Sequence, residues 1–513
     1  MNGLIVSLPN PRAKVGVVPN MAVTSIILYA QRRGVQTDFY DIHLLCPSDM
    51  EIRRVLAEKH PSVVGVSAIV STSYRELKRI TGLVREVLPS CRIVVGGNLA
   101  ESYEVILRKT PVDVCVIGPG EVPWFELMSG KALEDIKGLR YLKDGCVVST
   151  GYPDHVSAGE MELPDYTLLR RGLMDKPFLL MNYFNDPKAM YSVLNTSLDP
   201  ARVVGTRSAS IQTEKGCIGH CVFCQRFYHG YHPYDIGKLD WHIRYLKKTF
   251  DVGYLFLADE AFGVDKRNAY AVSAVMRKNN MFWETSAIPK HFTREDLQYF
   301  FDCGCVSICF GVESGCDMIL GKMNKSYGVE DIRRVLGWCH EIGIYVPIQL
   351  CIGCPWETDE SIMETGQFVG EMCVMRGVSP IDVNLHIFWM KAYPGSPLYS
   401  YGQEHGFIYR TVEEEEQYLL DVSDFDVVKA NFFNMTKNTK RHWFFWDYLI
   451  YLEALRVYYS VATGETPHGV HKDESIFKRV FRRMPFWLKR FIFVSIPPGV
   501  LYPVCRNLVY AFS

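Results

Sequence analysis

Several features that would place a chain in a specialised class are missing from this sequence. No uninterrupted apolar run reaches about 18 residues, the length that an ordinary membrane-spanning helix needs. The first residues, MNGLIVSLPNPRAKV, have no basic region followed by a long apolar stretch and a small-residue cleavage site. Internal repeats and low-complexity tracts are also missing. We therefore expect a folded protein in the cytoplasm.

An excess of one charge sign is missing as well. The formal net charge of the 513 residues is -1, so no global field attracts nucleic acid, and we expect no nucleic-acid partner. Hydrophobic residues make up 48% and charged residues 22%, which is ordinary for a globular protein and excludes disorder for most of the chain. A chain of this length predicts several domains.

Cysteine is plentiful, and its distribution is uneven. The chain has 16 cysteines, and in a reducing compartment clustered cysteines indicate metal or redox chemistry more than disulfides. Cys217, Cys221 and Cys224 fall within eight residues, with three residues in the first gap and two in the second. Glycines flank them, which suits a loop more than a core strand. A fourth neighbouring cysteine is lacking.

Three thiols leave three interpretations. A structural zinc site normally has four protein ligands, so His220, His229 or His232 would have to supply the fourth. Three ordinary buried cysteines are the second interpretation, which the loop-like flanks disfavour. A four-iron cluster held by three thiolates is the third, and it leaves one iron open for a cofactor. We favour the cluster.

The motif and its surroundings resemble the radical S-adenosylmethionine (SAM) family over residues 211 to about 407. Phe223 precedes the third cysteine, as an aromatic residue does in that family. The stretch FLADEAF is similar to the family's second-strand segment, which implies that Asp259 and Glu260 approach the SAM amino group. The stretch FGVESG is similar to the fourth-strand segment, which implies that Glu313 lies near the cofactor.

Two further stretches extend the resemblance, and one of them departs from the family pattern. CIGCPWET is similar to a fifth-strand segment, although Trp356 replaces the usual glycine, and YPGSPLY is similar to the segment that closes the domain. The resemblance implies that SAM chelates the open iron and that a reductant such as flavodoxin or ferredoxin supplies one electron. Cleavage of SAM then yields a 5′-deoxyadenosyl radical, which abstracts hydrogen from an unactivated carbon.

The order of secondary-structure signals predicts an α/β fold. Five short apolar strands alternate with helical runs over residues 1–130, which indicates a doubly wound, Rossmann-like domain. Residues 131–206 form a connector with one hairpin, YLKDGCVVSTGYP. Six further strands separated by helices predict a partial (β/α)6 radical SAM barrel over 207–406. A helical, aromatic and basic region follows over 407–513.

The first domain resembles the cobalamin-binding (B12-binding) domain of the B12-dependent branch of radical SAM enzymes. The stretches LPNPRAKVGVVPNMAV, VSAIVSTSY, VVGGNLAE and VIGPGEVPWFEL carry the resemblance. It implies a set of glycine and hydroxyl contacts to cobalamin: Gly96, Gly97, Gly118, Gly120, Ser67, Ser71 and Thr72. Asp41 and His43 do not match the histidine signature that ligates cobalt, because they follow the second strand and a cysteine replaces its glycine. The alternatives are that the glycines only form turns and that the domain binds no cobalamin.

These cofactors together predict a C-methyltransferase that acts on an unactivated carbon through the 5′-deoxyadenosyl radical and methylcobalamin. Radical ring formation or rearrangement with the same cofactors is the first alternative, and a non-catalytic iron–sulfur or cobalamin-binding protein is the second. A methylthiotransferase is disfavoured, because the upstream cysteines are scattered along the chain. No residue is assigned as general acid or base.

The C-terminal region combines aromatic and basic residues. HWFFWDYLIYLEAL has aromatic residues at helical spacing, which suits either core packing or the wall of an apolar substrate cavity. From His471 to Ser513 there are eight Lys or Arg residues against Asp473 and Glu474. This tail suits either a segment lying on an anionic membrane surface or a cap docked on the protein. The membrane interpretation predicts a hydrophobic small-molecule substrate.

Overall fold

A computed structural model describes residues 1–8, 18–69, 73–185, 206–380, 383, 385–408, 411–423 and 433–462. Ser71, Thr72 and the basic tail, for which the sequence predicts contacts, lie outside these residues. The chain divides into two compact units. The first unit comprises Met1–Ile288, Gln298–Ile308 and Ala392–Asp426, and the second comprises Pro289–Leu297, Cys309–Lys391 and Val427–Ser513.

The first unit contains a seven-stranded sheet. Its strands are β1 (Gly3–Ser7), β2 (Thr37–Tyr40), β3 (Val63–Ser67), β4 (Arg92–Gly96), β5 (Val114–Val116), β6 (Leu139–Lys143) and β7 (Cys146–Ser149). They are ordered β2-β1-β3-β4-β5-β6-β7, and the first five are parallel. Val64, Ile93 and Val95 are fully buried, as expected for a parallel sheet covered on both faces. The predicted doubly wound topology is confirmed.

Helices cover this sheet, and local sequence sets where they begin. They are α1 (Met21–Gln31), α2 (Ile42–Leu45), α3 (Asp49–Lys59), α4 (Tyr74–Val87), α5 (Tyr103–Lys109), α6 (Glu121–Met128) and α7 (Tyr166–Gly172). The side chain of Asn20 accepts a hydrogen bond from the Val23 amide and so caps α1. Ser48 and Glu51 form a reciprocal capping box at the start of α3.

The predicted hairpin is present and extends the first sheet. Strands β6 and β7 are antiparallel, and β6 pairs with β5. Asp144 and Gly145 connect them with φ values of 53° and 77°, the left-handed conformation that two-residue hairpin turns require. The sheet therefore continues to Ser149, past the boundary predicted at residue 130. The domain boundaries themselves stay a prediction.

The six strands predicted for the barrel are all present. The remaining strands are β8 (Arg207–Ile211), β9 (Glu214–Lys215), β10 (His232–Pro233), β11 (Val252–Leu257), β12 (Phe282–Ala287), β13 (Cys305–Phe310), β14 (Ile348–Ile352) and β15 (Leu385–Trp389). One sheet has the order β13-β12-β11-β8, with β11 parallel to β8 and to β12. β14 and β15 form a separate parallel pair, and β9 and β10 form a short antiparallel pair.

Helices lie between these strands, as the fold prediction requires, and four more follow β15 in the described part of the chain. They are α8 (Ile236–Phe250), α9 (Lys266–Lys278), α10 (Arg294–Asp302), α11 (Asp317–Lys322), α12 (Val329–Ile342), α13 (Asp359–Arg376), α14 (Pro397–Glu404), α15 (Val412–Ser423), α16 (Lys440–Trp443) and α17 (Trp446–Ala462). Helices α14 and α15 belong to the first unit.

The aromatic C-terminal segment belongs to the core of the second unit. Trp446, Ile450 and Ala454 on α17 are fully buried, and α17 packs along α13. The indole of Trp446 is parallel to that of Trp389 at a centroid distance of 6.5 Å. Within the described part of the chain, no helix combines the length and apolarity that crossing a bilayer requires.

Candidate functional site

A cavity of about 340 Å³ lies in the first unit, at the carboxyl ends of strands β1, β3, β4 and β5. This is where ligands bind in open parallel sheets. Five of the residues predicted to contact cobalamin line it: Ser67, Gly96, Gly97, Gly118 and Gly120. A second set of lining residues comes from the predicted radical SAM region: Gln212, Lys215, Gly216, Phe227, Tyr228, Ala258 and Glu260. The cavity therefore has walls from both predicted domains.

Two of the glycines cannot be replaced without moving the backbone or a neighbour. Gly97 has φ of 97°, and a Cβ there would lie 2.5 Å from the carbonyl oxygen of Ala68. Gly118 has φ of 84°, and a Cβ there would lie 2.6 Å from the ring of Tyr152. These positions bring bare backbone to the cavity surface, which suits the close approach of a large planar ligand.

The remaining wall on the side of the first sheet is mostly apolar. Ile5, Val94, Val116 and Trp124 line it, and the indole N–H of Trp124 donates to the Thr37 hydroxyl at 3.1 Å. Ser67 supplies a polar atom, since its hydroxyl accepts a hydrogen bond from the Asn20 amide at 2.9 Å. An apolar wall with a few polar groups is the usual composition of a cofactor site.

The three clustered cysteines lie on an ordered loop of the same unit. Cys217 and Cys221 are half-buried, Cys224 is exposed, and Phe223 is half-buried. The amide of Gly219 donates to the Cys217 sulfur at 3.2 Å, so a backbone N–H is directed at a predicted ligand atom. Such hydrogen bonds to thiolate sulfur are among the features that tune iron–sulfur clusters.

Both sides of this loop are anchored. The amide of Leu398 donates to the Val222 carbonyl at 2.8 Å, and the Gln225 side chain donates to the Pro394 carbonyl at 2.5 Å. Among the described residues, no three His, Cys, Asp or Glu side chains converge on a point where one metal ion would sit. A cluster does not require such convergence, because each thiolate binds its own iron. The thiols, their exposure and the anchored backbone fit a cluster.

The two acidic residues after β11 differ in their surroundings. Asp259 is buried, and its carboxylate accepts hydrogen bonds from the Thr213 amide at 2.7 Å, the Thr213 hydroxyl at 2.5 Å and the Glu214 amide at 3.3 Å. Burial raises the pKa of Asp259 to about 7. Glu260 instead lines the cavity, and burial raises the pKa of its carboxyl group. Of these two predicted SAM contacts, Glu260 lines the cavity and Asp259 does not, and both contacts stay predictions.

A third carboxyl group, Glu214, lies against Asp259 and was missed by sequence reasoning. It is 1% exposed, and neither carboxyl oxygen has a hydrogen-bond partner at ordinary geometry. Burial and the neighbouring Asp259 raise the pKa of Glu214, and the nearby Tyr231 hydroxyl opposes them with a smaller effect. The resulting pKa is about 8. A group with such a raised pKa holds its proton near neutral pH.

A buried ion pair connects the two walls of the cavity. The Lys215 ammonium donates to the Glu121 carboxylate at 2.9 Å, and the Ser25 hydroxyl donates to the same oxygen at 2.8 Å. The Lys215 nitrogen also lies 5.3 Å from the centre of the Tyr228 ring. Burial alone would raise the pKa of Glu121, but Lys215 and the hydrogen bonds outweigh it and the pKa is lowered.

Glu313 belongs to the second unit. Its carboxylate accepts a hydrogen bond from the Lys325 ammonium at 2.8 Å, and its φ is 59°. Its backbone exchanges hydrogen bonds with β14 through Gln349 and Cys351. The role of Glu313 near SAM stays a prediction.

A second acidic residue of this unit is buried. The carboxylate of Glu357 accepts a hydrogen bond from the Cys354 amide at 3.0 Å, and burial raises the pKa of Glu357 to about 8.

Comparison with known families identifies the two parts of the chain. The B12 binding domain family matches residues 14–127, and the radical SAM superfamily matches residues 211–369. The chain is a B12-binding radical SAM enzyme. The two domains indicate the predicted cofactors, namely cobalamin, SAM and a [4Fe-4S] cluster. The glycine-lined cavity and the anchored thiols are consistent with these groups.

Curated relatives of this enzyme carry different activities. An uncharacterised methyltransferase of Pyrococcus horikoshii is 21% identical over 364 residues, which cover 68% of this chain and 71% of the relative. The anaerobic magnesium-protoporphyrin IX monomethyl ester cyclase of Rubrivivax gelatinosus is 25% identical over 334 residues, which cover 62% of this chain and 56% of the relative. The match to the cyclase thus spans little more than half of its length.

A solved structure shares the fold. The radical SAM methyltransferase TsrM of Kitasatospora setae, solved with cobalamin and a [4Fe-4S] cluster, superposes with a TM-score of 0.60 and 17% sequence identity. The match covers 80% of this chain and 76% of TsrM. At this identity the similarity establishes the fold and no more.

Proposed function

We propose that this B12-binding radical SAM enzyme is a C-methyltransferase that acts on an unactivated carbon of a small molecule. The observation that carries the proposal is the cavity in the first unit. Gly97 and Gly118 line it from the B12-binding side, while Gly216, next to Cys217, and Glu260 line it from the radical SAM side. A methyl carrier and a radical source at one cavity would serve a single substrate carbon.

The residues of the chain have separable roles in this proposal. Cys217, Cys221 and Cys224 hold the cluster, and Glu260 binds the cationic end of SAM. The glycine backbone and the apolar wall hold the corrin and exclude water. When bound, these cofactors supply a hydrogen-abstracting radical and a carried methyl group. Ser71 and Thr72, outside the described residues, stay predicted hydroxyl contacts.

Radical ring formation is a second candidate, because the Rubrivivax relative is named a cyclase. Both candidates need SAM cleavage, but only methyl transfer sends the SAM methyl group to another molecule. The sequence also predicts a hydrophobic substrate and peripheral membrane contact through the tail, and both stay predictions.

One experiment separates the candidates without a known substrate. The protein is loaded anaerobically with iron, sulfide and hydroxocobalamin, reduced, and incubated with SAM carrying a deuterated methyl group. We expect 5′-deoxyadenosine, S-adenosylhomocysteine and deuterated methyl on the corrin. 5′-Deoxyadenosine without S-adenosylhomocysteine would favour ring formation.

The cysteine variants supply the control for this experiment. C217A, C221A and C224A should each lose cluster iron and 5′-deoxyadenosine formation, because a cluster with two protein thiolates is poorly held. C146A is the matched control, since Cys146 is an exposed thiol on β7 outside the motif. Full iron content in all three motif variants would contradict the proposed site.

A further inference from the structure

The Glu121–Lys215 ion pair joins the segment that carries the corrin-lining glycines to the segment that carries the cysteines. Glu121 is the first residue of α6 and directly follows Gly118–Gly120. Lys215 ends β9, two residues before Cys217. Their side chains are only 4% and 9% exposed. The pair is therefore a buried contact between the two cofactor-holding segments.

Stability alone is a weak reason for such a pair. Removing two charges from water carries a large desolvation cost, so apolar residues of similar volume are often as stable or more stable. Removing one partner, by contrast, is strongly destabilising because the other charge stays buried. A buried pair is better suited to selecting one register between two segments than to raising overall stability.

The local geometry transmits the position of Lys215 to the cysteine loop. Gly216 has φ of 85°, and a Cβ there would lie 2.4 Å from the Gly230 carbonyl oxygen, so the backbone is tightly enclosed. The backbone of Cys217 forms an isolated β-bridge with His229, close to the pairing of β9 with β10. A displacement of Lys215 would therefore move the first cluster ligand.

The opposite end of the cysteine loop has its own links to the first domain and to the connector that follows it. Gln225 donates to the Asn98 carbonyl at 3.4 Å, and the Tyr152 hydroxyl donates to the Phe227 carbonyl at 2.9 Å. These links follow Cys224 in the chain, whereas the ion pair precedes Cys217. The pair is thus positioned to hold the near end of the loop.

We propose that Glu121 and Lys215 form a positioning pair that fixes the separation between the cluster and the corrin. The inference rests on the proposed binding of both cofactors at this cavity. It assigns no proton transfer and no substrate contact to either residue. Its consequence is a single, narrow cluster-to-cobalt distance in the holoenzyme.

The test compares the wild-type holoenzyme with the double variant E121L/K215M. Both are loaded with iron, sulfide and hydroxocobalamin, then reduced until the cluster and cobalt are both paramagnetic. The magnetic interaction between the two centres, measured by electron paramagnetic resonance, reports their separation. The matched control is E126L/K131M, which removes a more solvent-accessible pair of the same residue types, 2.6 Å apart near the end of α6, with side chains 24% and 41% exposed.

We expect E121L/K215M to keep its iron, its cobalamin and an unfolding temperature within about 4 °C of wild type. The fraction of molecules with the wild-type interaction should fall by at least half, while the control stays unchanged. An unchanged interaction in E121L/K215M would overturn the proposal. Failure of E121L/K215M to fold would show that the pair is needed for stability, and this outcome would also overturn the proposal.

The same measurement separates this inference from the proposed function. If wild-type protein binds no cluster or no cobalamin, the proposed cofactor site is wrong, and the pair is not involved. If E121L/K215M loses one cofactor while folded, E121Q/K215M takes its place, because the glutamine keeps the shape of Glu121. For E121Q/K215M, a fall in the fraction with the wild-type interaction would support the proposal, and an unchanged interaction would overturn it.

Discussion

Three carboxyl groups, those of Asp259, Glu260 and Glu214, lie near one another beside the cavity, but their surroundings differ. Glu260 lies at the cavity surface, where it can meet a cationic ligand. Asp259, one residue earlier, is occupied by hydrogen bonds from Thr213 and Glu214 and so holds the start of β9 in place. Glu214 is buried beside Asp259 and near the Tyr231 hydroxyl. Only Glu260 combines access with a carboxylate.

Glu214 gives the protein a specific dependence of stability on pH. Its pKa is raised from 4.5 to about 8, so between these values the folded state keeps a proton that the unfolded state has lost. The stability that protonated Glu214 contributes is therefore lost as pH rises from about 5 to 8. We expect E214Q, which does not ionise, to flatten this fall, with one pKa unit corresponding to about 1.4 kcal/mol.

Thermal unfolding of the cluster-loaded protein without SAM, measured across this pH range, checks the prediction. E134Q is the control, because Glu134 is exposed on the surface of the same unit and its variant should follow wild type. The titratable groups that face Glu214 are Asp259, Glu260 and Tyr231, and they are the same in both variants. Parallel curves for E214Q and wild type would contradict the assignment.

Residue-level prediction succeeds where a motif is local. The cysteines and the glycines sit in short segments whose neighbours in sequence are also neighbours in space, so their location could be predicted. Lys215 and Glu121 could not be paired this way, because 94 residues separate them. A partial match to a motif can also mislead, and Asp41 is an example. Its carboxylate caps α2 by accepting a hydrogen bond from the Leu44 amide and also accepts one from the Ser7 hydroxyl, and the expectation that Asp41 is not part of a cobalt-ligand signature stays a prediction.

At the scale of elements, α13 and α17 in the second unit are in close contact at two glycines of α13. A Cβ at Gly366 would lie 2.7 Å from the Glu453 Cβ, and one at Gly370 would lie 2.7 Å from the Val457 Cβ. Two glycines four residues apart share one face of a helix, so they form a flat strip along which α17 lies. The close contact of these helices depends on the missing side chains.

Gly370→Ala should therefore destabilise the protein although alanine favours helix. The added methyl group meets the Ala454 carbonyl oxygen at 2.8 Å, and overpacking of this kind costs about 1–3 kcal/mol. This exceeds the gain of about 1 kcal/mol in helix propensity. Thermal unfolding should show a lower transition temperature.

Gly82→Ala is the matched control for this prediction. Gly82 lies in the middle of α4, and a Cβ built there meets no atom within 4 Å beyond its chain neighbours and the backbone of its own helix. Alanine at this position should be neutral or stabilising by up to about 1 kcal/mol. Equal effects of the two substitutions would show that helix propensity, and not the contact of α13 with α17, determines the result.

Element order was predictable because apolar runs and turn residues are local signals. All five strands of the parallel sheet, the six barrel strands and the Asp144–Gly145 turn were expected. The attachment of β6 to β5 was not, since a hairpin sequence specifies its own turn and not the sheet edge that it joins. The short strands β9 and β10 were also missed, because two-residue pairs leave no periodic pattern.

At the scale of the whole molecule, the first unit brings both family domains to one cavity. Residues 14–127 match one family and residues 211–369 the other, yet Gly118 and Gly216 line the same space. Sequence motifs predicted each domain and its cofactor separately. Their common cavity depends on contacts such as Gln225 with Asn98, which no local pattern predicts.

A shared cavity makes a prediction that a site within one domain does not. Hydroxocobalamin should slow amide hydrogen exchange in the B12-binding segment 94–121 and also in segments 212–216 and 227–228 of the radical SAM domain, because a bound ligand suppresses local opening of every segment that it contacts. Exchange is measured by mass spectrometry on the cluster-loaded protein with and without hydroxocobalamin. Segment 332–342 of α12, whose residues do not line the cavity, is the internal control. Slower exchange confined to 94–121 would mean that cobalamin contacts only its own domain, and the arrangement proposed for methyl transfer would then be wrong.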